Sequence, residues 1–157
     1  VYQSEGFVET YIHMGGTMGV MLDFTGEPTE KAKAVAHDVA LHVAFAKPQY
    51  MTEAEVSAET LEKEKNILMQ EVLNEGKPAN IAEKIVMGKI KKFYEENCLM
   101  DQKFVKDDKV TVAQVLAQAG AGVTVKQFCF YVRGEGLEKK NEDLSEEVAK
   151  QVEAMKK

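Results

Sequence analysis

The chain has 157 residues, of which 45% are hydrophobic and 29% are charged, and its formal net charge is −6 at pH 7. This length is enough for one good hydrophobic core, or for one core with a protruding module. The negative charge argues against direct nucleic-acid binding, which needs a basic face. No apolar run approaches the ~20 residues needed to cross a bilayer, so we expect no membrane partner.

The first predicted element is a β-hairpin over residues 6–24. Its turn lies at residues 14–16, because paired glycines tolerate the positive φ that a tight turn requires. The second strand of the hairpin carries four apolar side chains on one face: Met18, Val20, Leu22 and Phe24. Gly19, inside that strand, indicates a β-bulge or the close approach of another backbone.

A helix is predicted next, capped by Thr29 and running to about Ala46, where Lys47-Pro48 ends it. Its apolar stripe is wide and consists of small residues, namely Ala32, Val35, Ala36, Val39, Ala40, Val43 and Ala44. Small side chains let a helix lie close to a sheet, so the stripe predicts packing against the hairpin.

Residues 57–100 predict a helical hairpin, which we call the arm. Two charged helical runs meet at Gly76, which suits a helix C-terminus, and at Pro78, which suits a helix start. A connection this short makes the two helices antiparallel neighbours. Their apolar stripes are too narrow for burial on all sides, so we expect the arm to project from the body. It is either a simple structural projection or a contact surface for a partner or for a second copy of the chain.

The chain then returns to the body. Residues 105–108 predict a turn or loop, and Thr111 with Gln114 forms a capping-box pattern before a helix over residues 112–119. Residues 123–132 predict a strand that is apolar on both faces, which is typical of a central, well-covered strand.

A final amphipathic helix over residues 141–157 either packs on the body or reaches a partner. These elements predict an α+β fold: a small antiparallel sheet packed by helices, with an antiparallel helical-hairpin arm and a C-terminal helix. The predicted units are the core subdomain over residues 1–56 and 101–140, the arm over 57–100, and the C-terminal module.

Residues with catalytic or metal-binding chemistry are few. His37 and His42 lie five apart on one helix and do not share a face, and Cys98 and Cys129 read as small buried residues. Without a phosphate loop, nucleophile elbow or sheltered carboxylate pair, we expect no enzyme, catalytic residue, metal or cofactor. His13, beside the hairpin turn, reads either as an exposed loop histidine or as a contact residue on a narrow protrusion.

Several stretches, in order and at the right spacing, resemble the elongation factor Ts family. The most specific is Asn-Glu-Gly-Lys-Pro at residues 74–78. The others are Tyr-Ile-His-Met-Gly-Gly at 11–16, residues 40–44 with 47–50, residues 62–64, residues 81–86, Phe-Val-Lys-Asp-Asp at 104–108 and residues 134–139. The resemblance runs from about Gly6 to Lys140.

The resemblance implies a guanine-nucleotide exchange factor that binds elongation factor Tu and promotes release of GDP. It implies that the hairpin tip contacts the third domain of that partner, through His13, Met14, Gly15 and Gly16. It implies that the last helix can lie against the partner's nucleotide domain, through Leu144, Val148 and Val152. It also implies that the arm is similar to the family's antiparallel coiled-coil dimerisation module, inserted into the core subdomain, which here points to Leu68, Val72, Ile81 and Ile85.

The family's N-terminal helical domain and its Thr-Asp-Phe-Val element have no counterpart in this sequence, so we expect a partial, binding-competent fragment. The alternative is a structural dimerisation or interaction module without exchange activity. The implied location is the bacterial cytoplasm, or the chloroplast or mitochondrial matrix if the chain is organellar.

Overall fold

The computed structural model describes residues 4–120 and 122–136, and its elements confirm the predicted α+β fold. The helices of this part are α1 (Glu30–Ala46), α2 (Ala58–Asn74), α3 (Ala79–Asn97) and α4 (Val112–Ala119). The strands are β1 (Phe7–His13), β2 (Met18–Thr25), β3 (Lys103–Phe104), β4 (Asp107–Thr111) and β5 (Thr124–Val132). The predicted helix over residues 141–157 lies outside the described residues.

The main sheet is antiparallel with the strand order β1-β2-β5, so β2 is central. Its predicted apolar face is confirmed, because Leu22 and Phe24 have no exposed surface and Val20 is nearly buried. The prediction that β5 is the central strand is wrong. Among residues 4–120 and 122–136 this strand lies at the edge of the sheet, and Tyr131 on its outer face is 64% exposed. Apolar residues on both faces had indicated cover on both faces, but within the described residues only the inner face is covered.

Gly19 pairs regularly with Ile12 and Tyr131, and a Cβ there would meet nothing within 4 Å. The predicted bulge or close approach at Gly19 is therefore wrong. The register shift lies at Asp23/Phe24 instead, and the close approach is at Gly6. A Cβ on Gly6 would lie 1.9 Å from the carbonyl oxygen of Phe24, so only glycine fits beside the start of β1.

We therefore expect Gly6→Ala to lower the free energy of unfolding by about 1–3 kcal/mol, the usual cost of forcing extra atoms into a packed site. The neighbouring atom is backbone and cannot turn away, so the strand itself must move. Urea denaturation of both proteins measures the difference. Gly19→Ala, made in the same sheet but in open space, is the matched control and should change stability little. Equal losses for the two variants would contradict the steric explanation.

Helix α1 covers the inner face of the sheet. Its predicted cap is confirmed, since Thr29 Oγ1 accepts a hydrogen bond from the backbone N–H of Ala32 at 3.1 Å. The stripe of small residues lies in the body core together with the inner side chains of β2. The buried members on α1 are Ala32, Ala36, Val39, Ala40, Val43 and Ala44.

A two-stranded ribbon, β3 and β4, follows the arm. The predicted turn is confirmed at residues 105 and 106, but Asp107 and Asp108 belong to β4, and Asp107 pairs with Phe104. Their polar side chains suggested a loop because this short ribbon is exposed on that side. The predicted capping box of α4 is confirmed, with hydrogen bonds of 3.3 Å and 3.0 Å between Thr111 and Gln114.

The arm has its own hydrophobic cluster, separate from the body core. Its buried members are Val72, Ala82, Val86 and Ile90. Gly76 has φ of 78°, which confirms the reason for a glycine after α2. The helical part ends at Asn97, because Leu99 is fully buried in the body core and its N–H donates to the carbonyl oxygen of Tyr50 at 2.9 Å. Nowhere in the described ranges is there a helix long and apolar enough to span a membrane.

Candidate functional site

The tip of the β1–β2 hairpin is a short 3-10 turn over Met14–Gly16, in which φ is 49° at Met14, 62° at Gly15 and 87° at Gly16. The predicted positive φ at the two glycines is confirmed. A bulky residue such as Met14 rarely adopts this conformation. The turn is held by Thr17, whose hydroxyl donates to the carbonyl oxygen of Met14 at 2.8 Å. Met14 is 69% exposed, so an apolar side chain stands at the end of a constrained turn.

His13 is the last residue of β1 and is half-buried rather than free in the loop. Its ring lies over that of Tyr11, with centroids 5.7 Å apart, and its Nδ1 is 3.0 Å from the Tyr11 hydroxyl oxygen. Tyr11 in turn meets His37 of α1 edge-on. The side chain is therefore orientated by its neighbours, and it faces the helix rather than the far side of the sheet.

A hollow of about 350 Å³ lies between the hairpin tip, the end of α1 and the turn after β3, and we call it the tip pocket. Its lining residues are His13, Met18, Leu41, Ala44, Phe45, Lys47 and Val105. Phe45 is 76% exposed and Val105 39% exposed, so an apolar rim faces solvent. The sequence reasoning missed Phe45. The sequence feature that could have identified Phe45 is an aromatic residue outside the apolar stripe of α1, one residue before that helix ends.

His42, which is 1% exposed, is joined to the tip pocket through the backbone of its lining residue Val105. Its Nε2 is 2.8 Å from Oε1 of Gln102, and its Nδ1 accepts a hydrogen bond from the N–H of Val105 at 3.2 Å. Burial lowers the pKa of His42, and the hydrogen bond between Nε2 of His42 and the Gln102 side-chain oxygen only partly opposes that shift. His42 is therefore buried and hydrogen-bonded at both ring nitrogens, as expected of a structural histidine.

The two cysteines differ. Cys98 is fully buried as predicted, and burial raises its pKa to about 11, with a further contribution from the nearby Asp101, so it is a protonated thiol at neutral pH. Cys129 is only half-buried, because its side of β5 has no cover in the described part. Among residues 4–120 and 122–136, no group of three or more His, Cys, Asp or Glu could hold a metal ion.

The four arm residues predicted for dimerisation differ in how far they are exposed to solvent. Val72 has no exposed surface and joins α2 to α3, while Leu68 and Ile85 are partly buried against the same cluster. Ile81 is 48% exposed and is the member of this set best able to meet another molecule. Sequence reasoning missed Met87, which is 73% exposed and lines a groove of about 470 Å³ along the arm.

The outer face of the main sheet carries further exposed apolar side chains: Val8, Ile12, Met21 and Tyr131. The other predicted partner contacts, Leu144, Val148 and Val152, lie outside the described residues. The structure thus brings His13 and Met14 together with Phe45 and Val105 at one end of the body, and it places the arm residues in a separate cluster.

Comparison with known proteins identifies the class. The sequence profile of the family described as Elongation factor TS matches residues 1–135. Similar proteins named Elongation factor Ts occur in Desulforamulus reducens, 46% identical over 96% of this chain and 74% of the relative, and in Desulfitobacterium hafniense, 46% identical over 95% and 73%. A third, from Halothermothrix orenii, is 42% identical over 96% of this chain, which spans only 50% of that relative's length.

These matches place the protein among the translation elongation factors. With the profile covering most of its length, the chain belongs to the elongation factor Ts family. The resemblance noted from the motifs at residues 11–16 and 74–78 is thereby confirmed.

Proposed function

We propose that this chain binds elongation factor Tu through the hairpin tip and the rim of the tip pocket, and that binding promotes release of GDP. The observation that carries the proposal is the exposed apolar group formed by Met14, Phe45 and Val105 around the orientated His13. Exposed aromatic and methionine side chains on a constrained scaffold are typical of partner contacts. Membership of the elongation factor Ts family supports elongation factor Tu as the partner.

Such an exchange factor makes and breaks no covalent bond, so the mechanism requires no catalytic residue, metal or cofactor of its own. It acts because it binds the nucleotide-free partner more tightly than the GDP-bound partner. That difference in affinity lowers the partner's affinity for GDP by the same factor, since coupling between two ligands is reciprocal. A constrained tip favours this role, because a rigid contact can distinguish two conformations of its partner.

Stopped-flow release of a fluorescent GDP from elongation factor Tu tests the proposal. We expect the release rate to rise with the concentration of this chain and to reach a plateau. A pull-down with nucleotide-free elongation factor Tu tests binding separately. Absence of binding there would refute the proposal, and binding without faster release would leave only the interaction and refute the exchange activity.

His13→Ala is expected to weaken binding of elongation factor Tu by about tenfold, which corresponds to ~1.4 kcal/mol. The ring loses its own contacts and no longer shapes the pocket beside Phe45. Because His13 is only half-buried, the melting temperature should change little. Isothermal titration calorimetry and a thermal melt measure the two effects.

Met14→Ala should act in the same direction as His13→Ala. Met87→Ala, which removes an equally exposed methionine from the arm, is its matched control and should leave the affinity unchanged. Equal affinities for the Met14 and Met87 variants would place the contact elsewhere on the molecule.

A second candidate is a module whose arm only self-associates. The observation that favours it is the exposure of Ile67, Ile81 and Met87 on the arm, which leaves apolar surface beyond the cluster that joins α2 to α3. Sedimentation velocity at several concentrations, with and without elongation factor Tu, separates the candidates. Self-association without a mixed complex supports this second function.

We also propose the bacterial cytoplasm as the location. The support is that the relatives named above are bacterial and are named as elongation factors.

A further inference from the structure

A chain of hydrogen bonds runs through the base of the body from the last turn of α3 to the tip pocket. The side-chain N–H of Gln102 donates to the backbone carbonyl oxygen of Glu96 at 2.8 Å. Oε1 of the same amide lies 2.8 Å from Nε2 of His42, and the backbone N–H of Val105 reaches Nδ1 of His42 at 3.2 Å. Gln102 is 4% exposed and His42 1% exposed, so water does not compete for these bonds.

The backbone groups at the two ends set the direction of every bond in this chain. The Val105 N–H can only donate, so Nδ1 of His42 must be unprotonated and the ring hydrogen must be on Nε2. The Glu96 carbonyl can only accept, so the Gln102 amide presents its NH₂ there and its oxygen to His42. The neutral ring therefore satisfies both neighbours. A proton on Nδ1 would set N–H against N–H at Val105 and break that bond.

Phe104 stacks on the His42 ring, with centroids 6.0 Å apart, so ring and ribbon are also in apolar contact. The charged groups facing His42 line a hollow on its other side: Lys92, Glu95 and Glu96 from α3, and Lys103 from β3. On the side of α1, Asp38 is paired with Lys106. In the described part of the chain, the hollow contains two cations and two carboxylates, so no net charge favours either the neutral or the protonated form of His42. The neutral form is favoured instead by the directions of its hydrogen bonds.

We propose that His42 is a positioning residue for the tip pocket: its neutral ring holds Val105 in the pocket rim and ties that rim to the base of the arm through Gln102. Tight binding at the tip then requires His42 to be unprotonated. This inference rests on the proposed function, because the affinity it controls is that for elongation factor Tu. The inference goes beyond the proposed function because it makes this affinity depend on His42, a buried residue that does not itself contact the partner.

The direction of the pH effect follows from the burial of His42. Its folded-state pKa lies below the ordinary value of 6.5, so the unfolded chain takes up the proton first as pH falls. The hydrogen bond from the Val105 N–H to Nδ1 of His42 is intact at a pH above this ordinary pKa. It is lost as the pH falls through the lower pKa of His42 in the folded state. Stability and affinity should therefore both decline on the acid side and not on the alkaline side.

The unmodified chain provides the first test. The His42 ring carbon–proton signals and the Val105 amide signal are followed by NMR between pH 8 and the onset of acid unfolding. We expect the Val105 amide to shift with the same midpoint as His42. A Val105 amide that does not follow the His42 titration overturns the inference, and this result needs no variant and no partner.

The second test uses Gln102→Glu, which places a carboxylate against Nε2 of His42 and should raise the midpoint by about 1–3 pH units. We expect the pH profile of elongation factor Tu binding to move upward with it. Gln70→Glu, which makes the same change of side chain at an exposed position of α2, is the control and should leave the profile in place. Titration of the partner is common to all three proteins and cancels in the comparison.

An unmoved binding profile in Gln102→Glu, despite a raised His42 midpoint, overturns the inference while the proposed function stands. Absence of binding by the unmodified chain at any pH refutes the proposed function, and with it the effect on affinity. The NMR result then still decides whether His42 positions Val105.

Discussion

Phe24→Ala is expected to lower the free energy of unfolding of the body by about 3–5 kcal/mol, the usual cost of emptying a buried aromatic site. Phe24 lies on the central strand, has no exposed surface, and stacks on Phe7 of β1 with ring centroids 5.1 Å apart. Domains of this kind are stable by only about 5–15 kcal/mol, so the loss is a large fraction of the total free energy of unfolding. Urea denaturation followed by circular dichroism measures the loss.

The matched control for Phe24→Ala is Tyr131→Ala, which removes an aromatic ring from the exposed outer face of the same sheet. It should change the free energy of unfolding by less than about 1 kcal/mol, as exposed substitutions usually do. A loss at Tyr131 as large as the loss at Phe24 would show that the outer face is also a core, covered by something beyond the described residues.

Replacing residues 58–95 with a short Gly/Ser linker is expected to leave a folded body and to remove any self-association that the arm provides. The two hydrophobic clusters share no member, so the body core loses no side chain. Glu96 must stay, because its carbonyl oxygen accepts a hydrogen bond from the Gln102 side chain. Asn97 must stay as well, because its carbonyl oxygen accepts hydrogen bonds from the N–H groups of Gln49 and Tyr50. Thermal melting and sedimentation velocity measure the outcome, and an unfolded remainder would show that the arm is part of the core.

A longer excision, extending to Met100 at the boundary predicted from the sequence, provides the comparison. It also removes Leu99, which is fully buried among the body residues, and should cost a further ~2–5 kcal/mol. Equal stability of the two excised proteins would contradict the assignment of residues 98–100 to the body.

The arm shows which structural features can be predicted from sequence patterns and which cannot. The helical hairpin was predictable because Gly76 and Pro78 are local signals, and the two apolar stripes report which faces meet. The boundary at Leu99 was not, because a buried leucine in an arm and one in a body look alike in sequence. Only the pairing of residues 97–100 with residues 49–51 separates them.

The candidate site divides in the same way. His13, Met14 and the turn glycines were found from the sequence, since a histidine beside paired glycines stands out in a hairpin. Phe45 and Val105 were missed, because they lie far apart in the chain and meet His13 only after α1 and the ribbon have packed. Leu68, Val72 and Ile85 had the right pattern for an interface, but they face the companion helix within the arm.

The sequence by itself determined the family, the hairpin, the arm and the caps at Thr29 and Thr111, because each depends on residues close together in the chain. Tertiary structure alone decided that β5 is an edge strand, that Gly6 rather than Gly19 is sterically required, and that His42 joins Gln102 to Val105. These features depend on contacts between distant segments. Periodicity reports which face of an element is apolar, but not which element covers that face.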